Sequence, residues 1–576
     1  MIFRADPDLV QFVREEIAPE GSEFKPLREN RVAVKVDLGL LDKLADRFVH
    51  KYGARLIHAT AVDLDVLGFE VVHIYDFSKT KERLVVLLEA SMSKEDPVVP
   101  SIAKVTWQAS WAEREMMELL GIRFLGTPDY RHQFLPYEWP NPVEGGVSGG
   151  QMPGLGEEID VKPSPQEMWI PLGISPKQAY STLIPIGPYH PGVIEGQIVY
   201  VKVEGEEVVS ADIKTGFHHR GIQKLIERRG YSKGVFTSER VCGICSAAHG
   251  LAYVTAVENL YESEIPDRAA YIRTLLVELN RAHSHLLWIG VVADVIGWKT
   301  GFMITWGLRE RVMDIIESIT GNRVNYGIWR IGGVSRDVSN ELALKASAAL
   351  KGLKDECSKL LLLVADHPVV KSRLVGVGPL SYSEAFEGGA VGPVARASNW
   401  KIDVRVDNPP HAMYDQKVIS WQVITDDHCD TYGRTLVRVK ELLVSLEIIM
   451  QCLDYLAKTS GEIRVKQKVI PVNSEGVGLN EAPRGELTYF MRASEYDQNL
   501  PQAIRIRTPS YRNNAIIPKM LVGSNLADVP VIMGSTDQCL ACTDRVEIID
   551  AKVETKKSIL WDELVALSRK RRGREF

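Results

Sequence analysis

Cys242 and Cys245 stand two residues apart in Glu239-Arg240-Val241-Cys242-Gly243-Ile244-Cys245. Cys539 and Cys542 repeat the spacing in Asp537-Gln538-Cys539-Leu540-Ala541-Cys542. A thiolate is a good ligand for soft and borderline transition metals, and two intervening residues let both sulfurs face one ion from a tight turn or a helix start. Four of the seven cysteines lie in these pairs. Two such pairs in a chain this poor in cysteine read as one four-sulfur site that closes the fold over a long sequence separation. Spacing alone does not choose the metal: a structural zinc, a cubane cluster and unrelated buried thiols all carry the same pattern.

Large elements are needed to bring the two pairs together. Helical apolar spacing recurs over Arg268 to Ile296, Leu308 to Ile319, Asn340 to Ala365 and Asp430 to Lys458, which predicts a bundle that buries the metal region. Cys357, Cys429 and Cys452 fall singly in or beside these patterns and are expected as small core hydrophobes. Ahead of the first pair, Gln197 to Val203 and Glu207 to Ile213 predict two strands joined at Glu204-Gly205-Glu206. His218 and His219 follow, and are expected as hydrogen-bonded supports rather than ligands.

The first 140 residues read differently. Arg31 to Asp37 alternates as a strand, Leu40 to Tyr52 has helical spacing, and strand-like runs recur at Phe69 to Tyr75 and Arg83 to Ala90. The expected fold class is therefore an α+β N-terminal domain joined to a mainly α-helical domain with small β elements. Asn141 to Glu167, rich in Gly and Pro with few long apolar side chains, would bury little for the backbone entropy lost on ordering, and is expected as a linker.

Composition narrows the class. At 576 residues the chain can hold more than one domain. Its 45% hydrophobic and 25% charged content is that of a globular protein, and a net charge of -6 gives no reason to expect nucleic acid. No secretory signal is expected near Met1. An odd cysteine count with four at metal spacing argues for a reducing compartment. The most apolar run, Leu286 to Trp306, contains Asp294 and Lys299 and reads as a buried helix rather than a membrane span. Neither a dinucleotide-binding glycine pattern nor a P-loop is present.

The residues around the cysteines carry a family resemblance. Arg240-Val241-Cys242-Gly243-Ile244-Cys245, followed by Ser246 to His249, resembles the first metal-binding motif of the large subunit of nickel-iron hydrogenases, and Asp537 through Arg545 resembles the second. Glu481-Ala482-Pro483-Arg484-Gly485 is similar to the loop covering that active site. Gln538 departs from the usual proline. Arg545, in place of histidine, matches the membrane-bound, hydrogen-evolving group related to respiratory complex I. Trp107 to Trp139 resembles the closing region of the 30-kilodalton subunit of complex I, and Ile184 to Leu225 resembles the opening shared by this hydrogenase group and the 49-kilodalton subunit.

The resemblance implies a division into a docking domain without chemistry of its own (1–140), a linker (141–167), a catalytic domain (168–545) and a C-terminal maturation extension (546–576). It implies that Cys242, Cys245, Cys539 and Cys542 all bind nickel, with Cys245 and Cys542 bridging to an iron carrying carbon monoxide and cyanide. Cys242 and Cys539 would be terminal, with Cys539 taking part in catalysis. Glu195 would relay protons, as a carboxyl can when burial brings its pKa toward the working pH. Arg484 would stabilise negatively polarised ligands, and His249 would donate to Cys245 from behind.

The implied reaction is the reversible reduction of protons to dihydrogen. The alternative is the quinone-binding fused subunit of complex I, whose family has lost the metal pairs. No further cysteines are available for an iron-sulfur cluster in this chain. The resemblance therefore implies an iron-sulfur partner subunit and integral membrane subunits, which would hold the chain peripherally on the cytoplasmic side of the membrane. Formate dehydrogenase, carbon monoxide dehydrogenase or ferredoxin would be the electron donor. A maturation protease would cut between Arg545 and Val546 once the metals are loaded.

Overall fold

The computed structural model describes residues 7–19, 21–27, 30–81, 83–135, 182–190, 195–218, 220–261, 264–466 and 468–544. The expected linker (141–167), the extension (546–576) and the expected cleavage point at Arg545 and Val546 lie outside them. The chain divides into two compact units. The first is Met1–Gln223 with Glu387–Gly389 and the segment from Thr543, and the second is Lys224–Phe386 with Ala390–Cys542.

The first unit is built on a five-stranded sheet of β1 (Glu23–Pro26), β2 (Arg31–Lys35), β3 (Arg55–Asp63), β4 (Phe69–Asp76) and β5 (Val85–Met92). Their order is β1-β2-β5-β4-β3, with β2 parallel to β5 and the other pairs antiparallel. Three of the strands, β2, β4 and β5, fall where strand-like runs are expected. Strands β1 and β3 were not expected, and β3 reads Arg-Leu-Ile-His-Ala-Thr-Ala-Val-Asp, its apolar residues interrupted by polar ones that are buried. The expected helix at Leu40 to Tyr52 is α1 (Leu41–Asp46), continued by a wider turn through Arg47–Lys51.

Helix α2 (Ser110–Leu120) holds the segment that follows it. Arg114 donates to the carbonyls of Arg131 (2.6 Å) and His132 (3.1 Å) and pairs with Asp129 (3.2 Å), while Glu118 accepts the Phe134 N–H at 3.0 Å. These charges are satisfied structurally. Strands β6 (Thr182–Ile186), β7 (Ile198–Glu204) and β8 (Glu207–Lys214) form a second sheet, with β7 and β8 turning at Gly205-Glu206 as expected. Lys214 Nζ donates to the carbonyls of His132 (2.8 Å) and Leu135, and Arg131 pairs with Asp212 at 2.8 Å. The β6–β8 sheet thus belongs to the first unit.

The second unit is helical. Its long members are α3 (Ser246–Leu260), α4 (Asp267–Val295), α5 (Lys299–Thr320), α6 (Asn340–Asp366) and α7 (Thr431–Lys458). Helix α4 packs against α5 and α7, and α7 against α6. Helix α6 buries Ala343, Ala346, Leu350, Leu353, Cys357, Leu360 and Val364, the single stripe that three- and four-residue spacing dictates. Ser339 and Asp430 cap α6 and α7 by accepting the N–H groups of Leu342 and Gly433.

The apolar run Leu286 to Trp306 is not one buried helix. Helix α4 stops at Val295 and α5 begins at Lys299, because Asp294 and Lys299 pair at the surface and the chain turns between them. Met303 there is 68% exposed. No helix among the described residues is long and apolar enough to cross a membrane. Cys357 and Cys452 are buried as expected, whereas Cys429 is only half-buried, in the turn that leads into α7.

A three-stranded antiparallel sheet, β9 (Glu475–Ala482), β10 (Gly485–Ala493) and β11 (Pro501–Arg507), packs on α3. Every residue of α3 is buried, and small side chains let β9 come against its backbone. At Gly478 a Cβ would lie 2.0 Å from the Ala252 carbonyl oxygen, so only glycine fits that approach.

Candidate metal centre

The first cysteine pair sits where a tight turn, Glu239–Val241, runs into the N-terminus of α3. Cys242 Sγ accepts the N–H groups of Ile244 and Cys245, each at 3.3 Å, which folds the Cys-Gly-Ile-Cys loop around that sulfur. The second pair flanks the start of a short helix, Leu540–Thr543. There the Cys539 N–H donates to Ser510 Oγ at 3.0 Å, and the Thr508 hydroxyl donates to the Cys542 carbonyl at 3.2 Å.

The fold brings the four thiols together. Cys242 Sγ lies 3.5 Å from Cys539 Sγ, and Cys245 Sγ lies 3.8 Å from Cys542 Sγ. The sulfurs of Cys242, Cys245 and Cys542 are all within 4.8 Å of one another. A disulfide would need about 2.05 Å. Thiolates sharing one tetrahedral ion at about 2.3 Å from it stand roughly 3.8 Å apart. The spacing is that of ligands around a common ion, and all four residues are buried.

Protonation follows from this crowding. Hydrogen bonds from Cys245, then from Cys539 and Cys542, hold Cys242 well below the usual thiol range. Sharing with Cys242 pushes Cys245 and Cys542 well above it. The crowding favours the thiolate form of Cys242 and the protonated forms of Cys245 and Cys542, and binding a metal would displace those protons.

Arg484 occupies the tip of the hairpin between β9 and β10. Ala482 pairs with Gly485, leaving Pro483-Arg484 as a two-residue turn; Gly485, at φ 130°, has the backbone freedom this turn needs. The covering loop expected at Glu481 to Gly485 is thus a strand end plus a tight turn. Arg281 clamps it by donating to the carbonyls of Glu481 (2.6 Å) and Ala482 (3.0 Å). Arg484 in turn donates from Nε to the Asp537 carbonyl at 2.6 Å and from Nη2 to Asp537 Oδ1 at 2.7 Å.

Burial works against the Arg484 charge, but Asp537 and the thiols of Cys539, Cys245 and Cys242 outweigh it and hold its pKa well above the usual value. Its Nη1 has no hydrogen-bond partner among the described residues, and neither has Asp537 Oδ2. A buried guanidinium with a spare donor beside four sulfurs suits a centre whose ligands carry negative charge. The donor set fits a nickel-iron group.

Asp537 had no assigned role at the level of sequence. Its signal was its place two residues before Cys539, and its φ of 56° marks it as a constrained position. His249, expected behind Cys245, places its Nε2 3.5 Å from Cys542 Sγ. Tyr489 of β10 holds Nδ1 at 2.8 Å and turns the ring across toward the second pair. His218 accepts the Gly196 N–H on Nε2 at 3.0 Å, the supporting role expected. Glu195 is half-buried and belongs to the first unit, whereas the four cysteines, Arg484 and His249 belong to the second.

Comparisons with known proteins bear on these positions. Residues 220–291 match the family "Nickel-dependent hydrogenase". Residues 35–146 match the 30 Kd subunit of respiratory-chain NADH dehydrogenase, and residues 295–480 and 464–545 match its 49 Kd subunit. Formate hydrogenlyase subunit 5 of Escherichia coli (strain K12) is 31% identical over 557 residues, which are 95% of this chain and 94% of that protein. The chain belongs to the hydrogenase large-subunit family of the formate hydrogenlyase type.

As a hydrogenase of this family it is also similar to the membrane-bound hydrogenase subunit alpha of Pyrococcus furiosus. That protein is 37% identical over 403 residues, 68% of this chain and 93% of the relative. A fused NADH-quinone oxidoreductase polypeptide of Aquifex aeolicus is 29% identical over 485 residues, 78% of this chain and 81% of the relative. Among solved structures, a chain of the membrane-bound sulfane sulfur reductase, an archaeal respiratory membrane complex, superposes with a TM-score of 0.60 at 29% identity. It covers 64% of this chain and 100% of that one. The hydrogenase fold thus also occurs in proteins whose names carry other reactions, so the chemistry has to be argued from the thiols.

Proposed function

We propose that this chain reduces protons reversibly to dihydrogen at a nickel-iron centre held by Cys242, Cys245, Cys539 and Cys542. The observation that carries the reading is the pairing of buried sulfurs, Cys242 with Cys539 at 3.5 Å and Cys245 with Cys542 at 3.8 Å. When bound, such a centre joins two protons and two electrons into dihydrogen. Cys245 and Cys542 would hold both metals, the iron carrying carbon monoxide and cyanide. Cys242 and Cys539 would hold nickel alone, and the Cys539 sulfur would accept a proton in turnover.

The chain's own residues do the rest. Arg484 directs its spare Nη1 donor toward negatively polarised ligands, Asp537 fixes its orientation, and His249 steadies Cys542 from behind. Glu195 would serve as a proton relay. Electrons would come from an iron-sulfur partner subunit fed by formate dehydrogenase, carbon monoxide dehydrogenase or ferredoxin. Integral membrane subunits would hold the assembly at the cytoplasmic face. The N-terminal domain (1–140) would serve as docking surface, with catalysis in 168–545. A maturation protease would cut between Arg545 and Val546.

A metal-free quinone-binding protein is the second reading, favoured by the similarity to the NADH-quinone oxidoreductase polypeptide. Elemental analysis of the purified, mature complex separates the two. About one nickel per chain, with infrared bands from iron-bound carbon monoxide and cyanide, is expected. Nickel at background would sink the hydrogenase reading.

A further inference from the structure

Glu239 lies three residues before Cys242 on the turn that enters the first cysteine loop, and it is 0% exposed. A carboxylate removed from water is normally paired with a cation or held by several donors. Here both oxygens share the single N–H of Gly327, at 3.0 and 3.1 Å, with the Trp329 indole nearby. The charged and titratable groups that reach it are Arg240 on its own turn and Arg330 and Tyr326 from the segment after α5. Arg240 donates to the Phe236 carbonyl, and Arg330 donates to the carbonyls of Gly327 and Trp329. Among the described residues no cation forms an ion pair with Glu239. Burial therefore raises its pKa to about 7.

A second set of polar groups lies between Tyr326, which senses the Glu239 charge, and the first cysteine loop. Asn280 of α4 donates from Nδ2 to the Ile244 carbonyl inside the cysteine loop (2.8 Å) and to the Tyr326 hydroxyl (3.2 Å), and the same nitrogen lies 2.9 Å from His283 Nε2. Tyr326 and His283 thus meet at one nitrogen. His283 is 3% exposed, its Nδ1 has no hydrogen-bond partner among the described residues, and it senses the charges of Cys242 and Arg484. Burial, with Arg309, keeps it neutral, its pKa lowered to about 3. A neutral imidazole can take a proton on one nitrogen as it gives one up from the other.

We infer that Glu239 is a second proton-holding residue, which serves the Cys242–Cys245 side of the thiol cluster through Tyr326 and His283. The inference rests on the hydrogenase reading above. In the step it supplies, the Glu239 carboxyl proton passes to the Tyr326 oxygen as that hydroxyl gives up its own. His283 takes that proton on one nitrogen as it releases one from the other toward a thiolate of the Cys242–Cys245 pair. The Glu239 carboxylate, held by the Gly327 N–H, regains a proton from solvent. No electron moves. Glu239 does not touch the thiols; it acts through the groups between.

Glu239→Gln in the assembled complex tests this, since the amide oxygen can still accept from Gly327. Three readouts are needed: nickel content, the carboxylic-acid C=O stretch in the infrared, and isotope exchange between deuterium gas and water across pH. The expected result is unchanged nickel, loss of a carboxyl band that titrates near pH 7 in the parent protein, and exchange slowed roughly tenfold or more with a displaced pH profile. Tyr326→Phe should keep the band but slow exchange. Absence of the band from the parent protein, its persistence in E239Q, or unchanged exchange and pH profile in E239Q would each overturn the inference. So would loss of nickel in E239Q together with normal exchange in Y326F, which would make Glu239 a structural prop. The carboxyl band can be read without nickel, so failure of the metal assignment and failure of this one are distinguishable.

Discussion

Arg484 and Asp537, one at a hairpin tip and the other ahead of the last cysteine pair, are joined by two hydrogen bonds at 2.6 and 2.7 Å. The contact fixes a buried guanidinium between the carboxylate and the thiols. Asp537→Ala would leave that cation without its carboxylate, a change that typically costs about 3–5 kcal/mol. Thermal unfolding of the purified complex should show the loss as a lowered midpoint for the second unit. Arg484→Lys keeps the charge but cannot span both Asp537 oxygens and still present a spare donor. Its nickel content should stay normal while hydrogen evolution falls by roughly a hundredfold or more.

The two cross-pair sulfur contacts predict how nickel loss should depend on position. Cys245→Ser and Cys542→Ser each remove a sulfur from the pair spaced at 3.8 Å, the pair proposed to hold both metals. Both variants should purify without nickel and without carbon monoxide or cyanide bands. Cys357→Ser, at a buried thiol on the apolar stripe of α6, should keep both signals and lose only stability.

Glu195→Gln should leave the metals bound and slow isotope exchange sharply, by roughly a hundredfold if it is the first relay. An unchanged rate would move that role to another carboxyl. The double variant with E239Q would then report whether the two act on one route or two.

His73, in β4, is 0% exposed, with no hydrogen-bond partner for either ring nitrogen among the described residues. Burial lowers its pKa from 6.5 to about 4. Between those values the unfolded chain binds a proton that the folded chain does not, so stability rises with pH. The contribution is fully present above about 6.5 and is lost as pH falls toward 4, by about 3 kcal/mol. Amide exchange in β4 and β5 should accelerate over that window. His73→Phe should flatten the dependence.

Intact-mass measurement on nickel-loaded, active protein tests the processing proposal. A product ending at Arg545 is expected, and a chain that still carries Val546 to Phe576 in active material would overturn it.

Chemistry that depends on residue type and local spacing was legible in the sequence. The two cysteine pairs, the helices α4 to α7 and the β7–β8 hairpin are each specified within a short window, by ligand spacing, by three- and four-residue apolar periodicity and by a glycine turn. Strand β3 was not legible, since its apolar residues are interrupted by Arg55, His58 and Thr60, which the fold nonetheless buries. The run Leu286 to Trp306 was misread as one buried helix because apolar content says nothing about which side faces water. Partnership across the chain was set by tertiary structure alone. Asp537 meets Arg484 only because a hairpin tip comes to the second cysteine pair, and His249 reaches Cys542 only because Tyr489 turns its ring. Glu239 is an ordinary acidic residue in the sequence, and becomes a proton-holding group only when the fold buries it against the loop at Gly327 and leaves one N–H to meet its charge. Ligand identity is a property of residue type, whereas pKa and orientation are properties of surroundings that no local stretch of sequence contains.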